Sequence, residues 1–161
     1  MSSATLETTK SENASNVSST GHIKVKDKNP CVGCGNCMLV CSLVHDGETS
    51  LSLARIYVDK DLFSGDYRQE TCAQCQKPKC LPACPVEGAL TVDQATGAKV
   101  INAELCIGCR ACEEACIFAA ARSRVKYDPR RNICVKCDLC GGDPECVKVC
   151  PVNILAHVSR E

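Results

Sequence analysis

The chain has 161 residues, 17 of them cysteine, and it balances 19 Lys+Arg against 19 Asp+Glu for a formal net charge of zero. An odd cysteine count excludes complete intramolecular disulfide pairing, and the zero balance offers no basic or acidic tail for nucleic acid or an anionic membrane. With no Trp, two Phe and three Tyr, the side chains that usually dominate a core are almost missing, so something else is expected to fill the interior.

Residues 1–22 contain six Ser, four Thr and two Asn, with no apolar core of a secretory signal and no twin arginine. That composition predicts a mobile N-terminal tail and a cytoplasmic, reducing location. No later stretch reaches the roughly 18 consecutive apolar residues of a membrane span. The first cysteine group follows, Cys31, Cys34, Cys37 and Cys41, with gaps of 3, 3 and 4. His45 lies four residues further on, near enough to hydrogen-bond a sulfur, though a simple surface or packing role is the leading expectation, and residues 55–58 form a strand-like run. His22 and His157 carry no signal of their own.

The second group is Cys72, Cys75, Cys80 and Cys84, with Pro85 directly after it. Two short apolar runs, Leu90–Val92 and Lys99–Ile101, flank a turn containing Gly97 and predict a β-hairpin. The third group, Cys106, Cys109, Cys112 and Cys116, repeats the 3, 3, 4 spacing of the first. Arg110 sits inside its loop, and Arg122, Arg124, Lys126, Arg130, Arg131 and Lys136 crowd the next segment, to offset buried negative charge, to dock a partner or simply to face water. The fourth group is Cys137, Cys140, Cys146 and Cys150, followed by Pro151 and a strand-like run at residues 154–158.

In a C-x2-C-x2-C run, successive thiolates converge on one face of a cuboidal iron–sulfur cluster, and Gly33, Gly35 and Gly108 let the backbone wrap closely. The fourth cysteine, three residues further, points away and ligates a different cluster, as in two-cluster bacterial ferredoxins. The groups must therefore work in reciprocal pairs, and sixteen cysteines predict four [4Fe–4S] clusters. The hairpin returns the third group to the second and favours a nested pairing over a sequential one. Nesting predicts Cys72, Cys75 and Cys80 with Cys116, and Cys106, Cys109 and Cys112 with Cys84. It also predicts Cys31, Cys34 and Cys37 with Cys150, and Cys137, Cys140 and Cys146 with Cys41. Cys134 is left over and read as a free thiol, buried or facing a partner, although a set of Cys134, Cys137, Cys146 and Cys150 is the rival.

The expected fold class is α+β, two nested ferredoxin-like modules built from short helices and β-hairpins around the clusters. The outer module takes residues 23–71 and 117–161, the inner one residues 72–116. Tyr57, Phe63, Tyr67, Phe118 and Tyr127 are expected to pack against the clusters.

Four strings carry a family likeness: Cys31-Val-Gly-Cys34-Gly-Asn-Cys37, Cys80-Leu-Pro-Ala-Cys84-Pro85, Cys106-Ile-Gly-Cys109-Arg-Ala-Cys112 and Lys136-Cys137-Asp-Leu-Cys140. From Cys31 to about Val158 the chain resembles the four-cluster electron-transfer subunits of molybdenum and tungsten oxidoreductase complexes. Cys41-Ser-Leu-Val-His45 and Ala54-Arg-Ile-Tyr-Val58 look most like the small subunits of tungsten aldehyde oxidoreductases and tungsten benzoyl-CoA reductases. Two departures stand out. Cys116 is followed by Ile117 where many relatives have proline, and only five residues separate Cys140 from Cys146, which is expected to expose that cluster more.

The resemblance implies a non-catalytic subunit that relays single electrons between a larger catalytic subunit, carrying tungsten or molybdenum, and a ferredoxin, flavin/NAD or hydrogenase partner, or copies of itself. A free soluble polyferredoxin is the alternative. A zinc-binding interaction module is a third reading, against which the tight C-x2-C-x2-C-x3-C spacing argues.

Overall fold

The structure, a computed structural model, describes residues 20–26 and 31–159. Its elements in chain order are β1 (His22–Val25), α1 (Asn36–Asp46), β2 (Tyr57–Asp61), β3 (Asp66–Glu70), α2 (Cys80–Ala83), β4 (Leu90–Val92), β5 (Lys99–Ile101), α3 (Ala111–Glu114), β6 (Val125–Asp128), β7 (Ile133–Lys136), α4 (Glu145–Lys148) and β8 (Leu155–Val158). Among the described residues the strands form four two-stranded antiparallel sheets, β1–β8, β2–β3, β4–β5 and β6–β7. Short helices and strand pairs of this kind make an α+β arrangement compatible with a ferredoxin-like fold.

The hairpin read from the sequence is β4–β5, with Leu90 opposite Ile101 and Val92 opposite Lys99. Its turn is closed by Asp93, whose carboxylate accepts from the Thr96 backbone N–H at 2.8 Å and from Thr96 Oγ1 at 2.6 Å. Gly97 supplies the left-handed residue, φ 67°. The strand run after the fourth group is β8, and it pairs with β1, placing Val25 opposite Leu155.

That pairing corrects the tail boundary. Residues 20–22, expected in the tail, are placed: His22 opens β1, and Thr20 Oγ1 accepts from Lys99 Nζ at 3.0 Å. Backbone pairing to β8 and burial of Ile23 oppose the ordering entropy that composition alone would count. The remainder of the expected tail, residues 1–19, lies outside the described residues. The run at residues 55–58 is also displaced. β2 starts at Tyr57, because Arg55 is engaged with Cys41 and Asp46. The β6–β7 hairpin lies inside the segment read only as basic. Its turn is held by Asp128, which accepts from Arg130 N at 2.9 Å and Arg131 Nε at 2.6 Å.

α1 packs against α4, and α2 against α3. Among the described residues the apolar interior falls into two clusters. One gathers Ile23, Met38, Ile56, Val58, Leu139 and Ile154 with Cys37, Cys41 and Cys146. The other is small: Leu90, Cys112, Val125 and Cys134. Thiols are thus part of both cores.

Candidate metal centres

Among the described residues four cavities, each enclosing about 310–390 Å³ of space counting the part open to solvent, are lined by cysteines, three by four and one by five. One gathers Cys31, Cys34, Cys37 and Cys150, and a second Cys41, Cys137, Cys140 and Cys146. A third gathers Cys72, Cys75, Cys80 and Cys116, and a fourth Cys84, Cys106, Cys109 and Cys112. These groupings coincide with the quartets of nested pairing and not with sequential pairing. Cys134 lines the fourth cavity as a fifth thiol, only 1 % exposed, and it does not join Cys137 and Cys146.

Adjacent cavities share helices. α1 carries Cys37 and Cys41, four residues apart and therefore offset along one side, and α4 with its C-terminal turn carries Cys146 and Cys150. In the same way Cys80 opens α2 and Cys84 ends it, while Cys112 lies in α3 and Cys116 just past it.

The donor chemistry fits an iron–sulfur group. Thiolates are the ligand form, and metal binding releases their protons. Burial first, and then the neighbouring Cys31 and Cys34, push the Cys37 thiol up to about 11. Burial likewise raises Cys112 and Cys146, with Cys134 and Cys137 respectively as the next contributors. Buried thiols whose ionisation is opposed in this way, as at Cys37, Cys112 and Cys146, suit a cationic centre. Backbone N–H groups already point at sulfur: Gly33 N to Cys31 Sγ at 3.4 Å, Arg55 N to Cys41 Sγ at 3.2 Å, Arg124 N to Cys116 Sγ at 3.4 Å and Cys134 N to Cys106 Sγ at 3.3 Å. Such bonds stabilise negative charge on the ligand sulfur and tune a cluster's potential.

The second cavity contains a pair that the sequence did not announce. His45 Nδ1 donates to the Cys41 carbonyl at 2.8 Å, and Nε2 donates to Asp138 Oδ1 at 2.9 Å. The Asp138 bond, followed by contacts with Cys140 and Cys41, pushes His45 up to about 12. Burial opposes ionisation of Asp138, yet the His45 bond and the Cys140 N–H outweigh it and hold the carboxyl down at about 2. His45 is thus held in place and also reaches sulfur, its Nδ1 lying 4.0 Å from Cys41 Sγ. The short fourth group does not open its cavity: Cys41 and Cys146 are buried, and the exposed cysteines of the quartets are Cys34 and Cys109 elsewhere. The loop closes tightly because Leu139 and Cys140 both adopt left-handed conformations, φ 63° and 48°, which folds Leu139 into the core.

The basic segment is largely paired internally. Arg124 and Arg122 share Glu70 at 2.6 and 3.3 Å, Arg131 bridges Asp46 and Asp128, and Arg130 reaches Glu48. Arg110 pairs with Glu113 at 2.7 Å, and Lys126 donates to the Ala54 carbonyl at 2.6 Å. Of the aromatics, Phe118 lines the third cavity, and the Tyr67 ring lies against Gly33 in the first cysteine loop. Tyr57 stacks under Arg122, its ring centroid 3.8 Å from the guanidinium carbon, and Tyr127 lies 5.3 Å from that of Arg110. Phe63 does not pack: it is fully exposed in the turn between β2 and β3.

Cysteine quartets on short helices beside two-stranded sheets define the class, an iron–sulfur protein of ferredoxin-like type. The protein belongs to the 4Fe-4S dicluster domain family, whose model matches residues 63–160. It is 43% identical over 120 residues to the polyferredoxin-like subunit of an aliphatic sulfonate oxidoreductase from Pyrococcus furiosus, covering 74% of this protein and 66% of that one. It is 33% identical to the beta subunit of an NADH-dependent phenylglyoxylate dehydrogenase from Aromatoleum evansii, covering 83% of this protein and 29% of the relative. A subunit of an anaerobic dimethyl sulfoxide reductase from Haemophilus influenzae is 32% identical, with 80% and 69% covered. The protein therefore spans less than two thirds of the length of the first two relatives. Among solved structures, the active site complex BamBC of benzoyl coenzyme A reductase superposes with a TM-score of 0.51 at 22% identity, covering 88% of this protein and 81% of the matched one. That likeness concerns the fold.

Proposed function

We propose that the protein is a non-catalytic electron-transfer subunit that holds four [4Fe–4S] clusters and connects a larger tungsten- or molybdenum-containing catalytic subunit to a redox partner. One observation carries the reading: four separate cavities each bring together at least four cysteine thiols. When bound, such clusters supply one-electron transfer at potentials set by charge, hydrogen bonds to sulfur and solvent exposure. The polyferredoxin-like and oxidoreductase-subunit relatives support the assignment to a complex.

The protein's own residues give the cavities an order. α1 and α4 join the Cys34 cavity to the Cys137 cavity, and α2 and α3 join the Cys72 cavity to the Cys109 cavity. Between these pairs, Thr71 lines the Cys137 cavity while Cys72 lines the next, and Gln74 Nε2 donates to the Cys137 carbonyl at 2.7 Å. The exposed cysteines, Cys34 and Cys109, then lie at the two ends of the series. Exposed apolar residues flank both, Val32 and Leu39 beside the first, Leu105 and Ile107 beside the second. Ends of this composition suit partner contact, and the two nested modules form one relay with a partner at either end.

The test is anaerobic purification from native cells, with analysis of the co-purifying polypeptides for iron, tungsten and molybdenum. Co-elution with a large subunit containing tungsten or molybdenum, with about sixteen iron atoms per copy of this protein, is expected. A colourless zinc protein, or an uncomplexed monomer, would count against the proposal.

A further inference from the structure

The four cavities all receive help from the backbone, and unequal help from charge. Each has at least one backbone N–H···S contact of 3.2–3.4 Å. Among the described residues, no charged side chain lines the Cys34 cavity or the Cys109 cavity. The Cys137 cavity is lined by His45, Arg55 and Asp138, and its cations are tied to the Asp138 and Asp46 carboxylates. The Cys72 cavity is lined by Lys79, Lys99, Arg124 and Lys136 and, among the described residues, by no carboxylate.

Arg124 is matched by Glu70, and Lys79 is exposed, so neither decides the field inside. Lys99 and Lys136 differ, at 5% and 4% exposed. Lys99 Nζ donates to Thr20 Oγ1 and to the Gly97 carbonyl, and its backbone N–H to Gln74 Oε1 at 2.8 Å, which anchors β5 against the cavity wall. The Lys136 ammonium donates to the Lys99 carbonyl and, at 3.1 Å, to the Cys137 carbonyl, which fixes it between the Cys72 and Cys137 cavities. Lys136 is therefore held by oxygens of neutral peptide groups, which orient its charge without cancelling it.

We propose that Lys136 makes the cluster held by Cys72, Cys75, Cys80 and Cys116 the most readily reduced of the four. This rests on the four-cluster reading above. Reduction adds one negative charge to the cluster, and a fixed cation in a low-dielectric wall favours the added electron far more than one in water. Solvent at Cys34 and Cys109 acts in the same direction at the two end cavities, but through a partial opening and without a net charge. The consequence is a relay that is not level: an electron entering from either end comes to rest inside the molecule, on the inner side of the junction between the two modules. Lys136 is here a positioning residue, acting on the cluster's charge and ligating nothing.

Potentiometric titration of the anaerobic holo-protein, followed by electron paramagnetic resonance, tests this with three variants. Cys116→Ser is expected to abolish or alter the highest-potential signal and so identify it. Lys136→Gln keeps hydrogen-bond donors for the two carbonyls but removes the charge. It is expected to shift the reduction equilibrium of that signal at least about tenfold toward the oxidised form, about 59 mV for one electron. Lys136→Arg is expected to restore it. With iron content intact, a Lys136→Gln midpoint that does not move overturns the inference and leaves the cluster reading standing. So does a highest-potential signal that survives unaltered in Cys116→Ser, an arm that decides even if Lys136→Gln fails to fold. Wild-type protein far short of about sixteen iron atoms would remove the cluster reading itself, and the inference with it.

Discussion

The first and third cysteine groups have the same spacing and almost the same opening, yet they build different structures. In both loops the glycine before the second cysteine is left-handed, φ 64° at Gly33 and 69° at Gly108. Two residues later the conformation is again shared, but the residues are not: Gly35 has φ 81° and Arg110 has φ 64°. From there α1 runs for 11 residues to a glycine cap at Gly47, whereas α3 stops after four. Ser123 Oγ donates to the Glu113 carbonyl at 3.0 Å, taking up a group that a longer helix would use. Thiol spacing thus dictates the loop, and residues outside the loop decide how far the helix continues. Arg110 tolerates its left-handed conformation while paired with Glu113 and set against Tyr127.

The strongest challenge to this equivalence removes a thiol from each loop. Cys37→Ala and Cys112→Ala are each expected to lose about four iron atoms, read by iron and sulfide analysis, while Cys134→Ala keeps them all. Loss in Cys134→Ala but not in Cys112→Ala would reassign the fourth quartet.

Next in size is the anchor that only the longer helix has. The Asp46 side chain, 3% exposed, closes α1 by pairing with Arg55 at 2.8 Å and Arg131 at 2.7 Å. Asp46→Ala strands the buried Arg55, while Arg131 keeps Asp128, and is expected to cost about 3–5 kcal/mol in denaturant unfolding of the holo-protein. Glycine replacement gives a smaller contrast. A Cβ at Gly108 would stand 2.4 Å from the Asn132 carbonyl oxygen, whereas none of the surrounding atoms comes within 4 Å of one at Gly35. Gly108→Ala is expected to cost about 3 kcal/mol and Gly35→Ala about 1 kcal/mol. Equal costs would show that the loops are less tightly docked than they look. The smallest effect on stability is expected from Arg110→Gly, where relief of the left-handed backbone and loss of the exposed ion pair oppose each other.

The features legible in the sequence are those whose parts lie close together in it. The cysteine groups and the β4–β5 hairpin are local patterns, and Asp93, Thr96 and Gly97 announce their own turn. β1 leaves no such signal, because its partner, β8, is more than a hundred residues away and its sequence neighbours are Ser and Thr. His45 and Asp138 are 93 residues apart, and no spacing rule joins them. The β6–β7 hairpin does leave a signal, alternation of Val125 and Tyr127 with Lys126 and Asp128 before Asn132, but the density of arginines there masks it. Phe63 departs from its expected packing because aromaticity predicts burial only until a turn carries the residue outward. The buried place of Lys136 depends on β5 and β7 meeting, which composition does not disclose.

The nesting of the quartets also sets a timetable for biosynthesis. Both quartets of the two inner cavities are complete once Cys116 leaves the ribosome, within a span that begins at Cys72, and only the fifth thiol, Cys134, follows. The outer cavities each wait for cysteines beyond position 136, and one of them for Cys150. Until then the first group, although synthesised earliest, has neither its partner thiol nor α4 to pack against. Its four cysteines must stay reduced and unmetallated, or be shielded, while the middle of the chain is completed ahead of them.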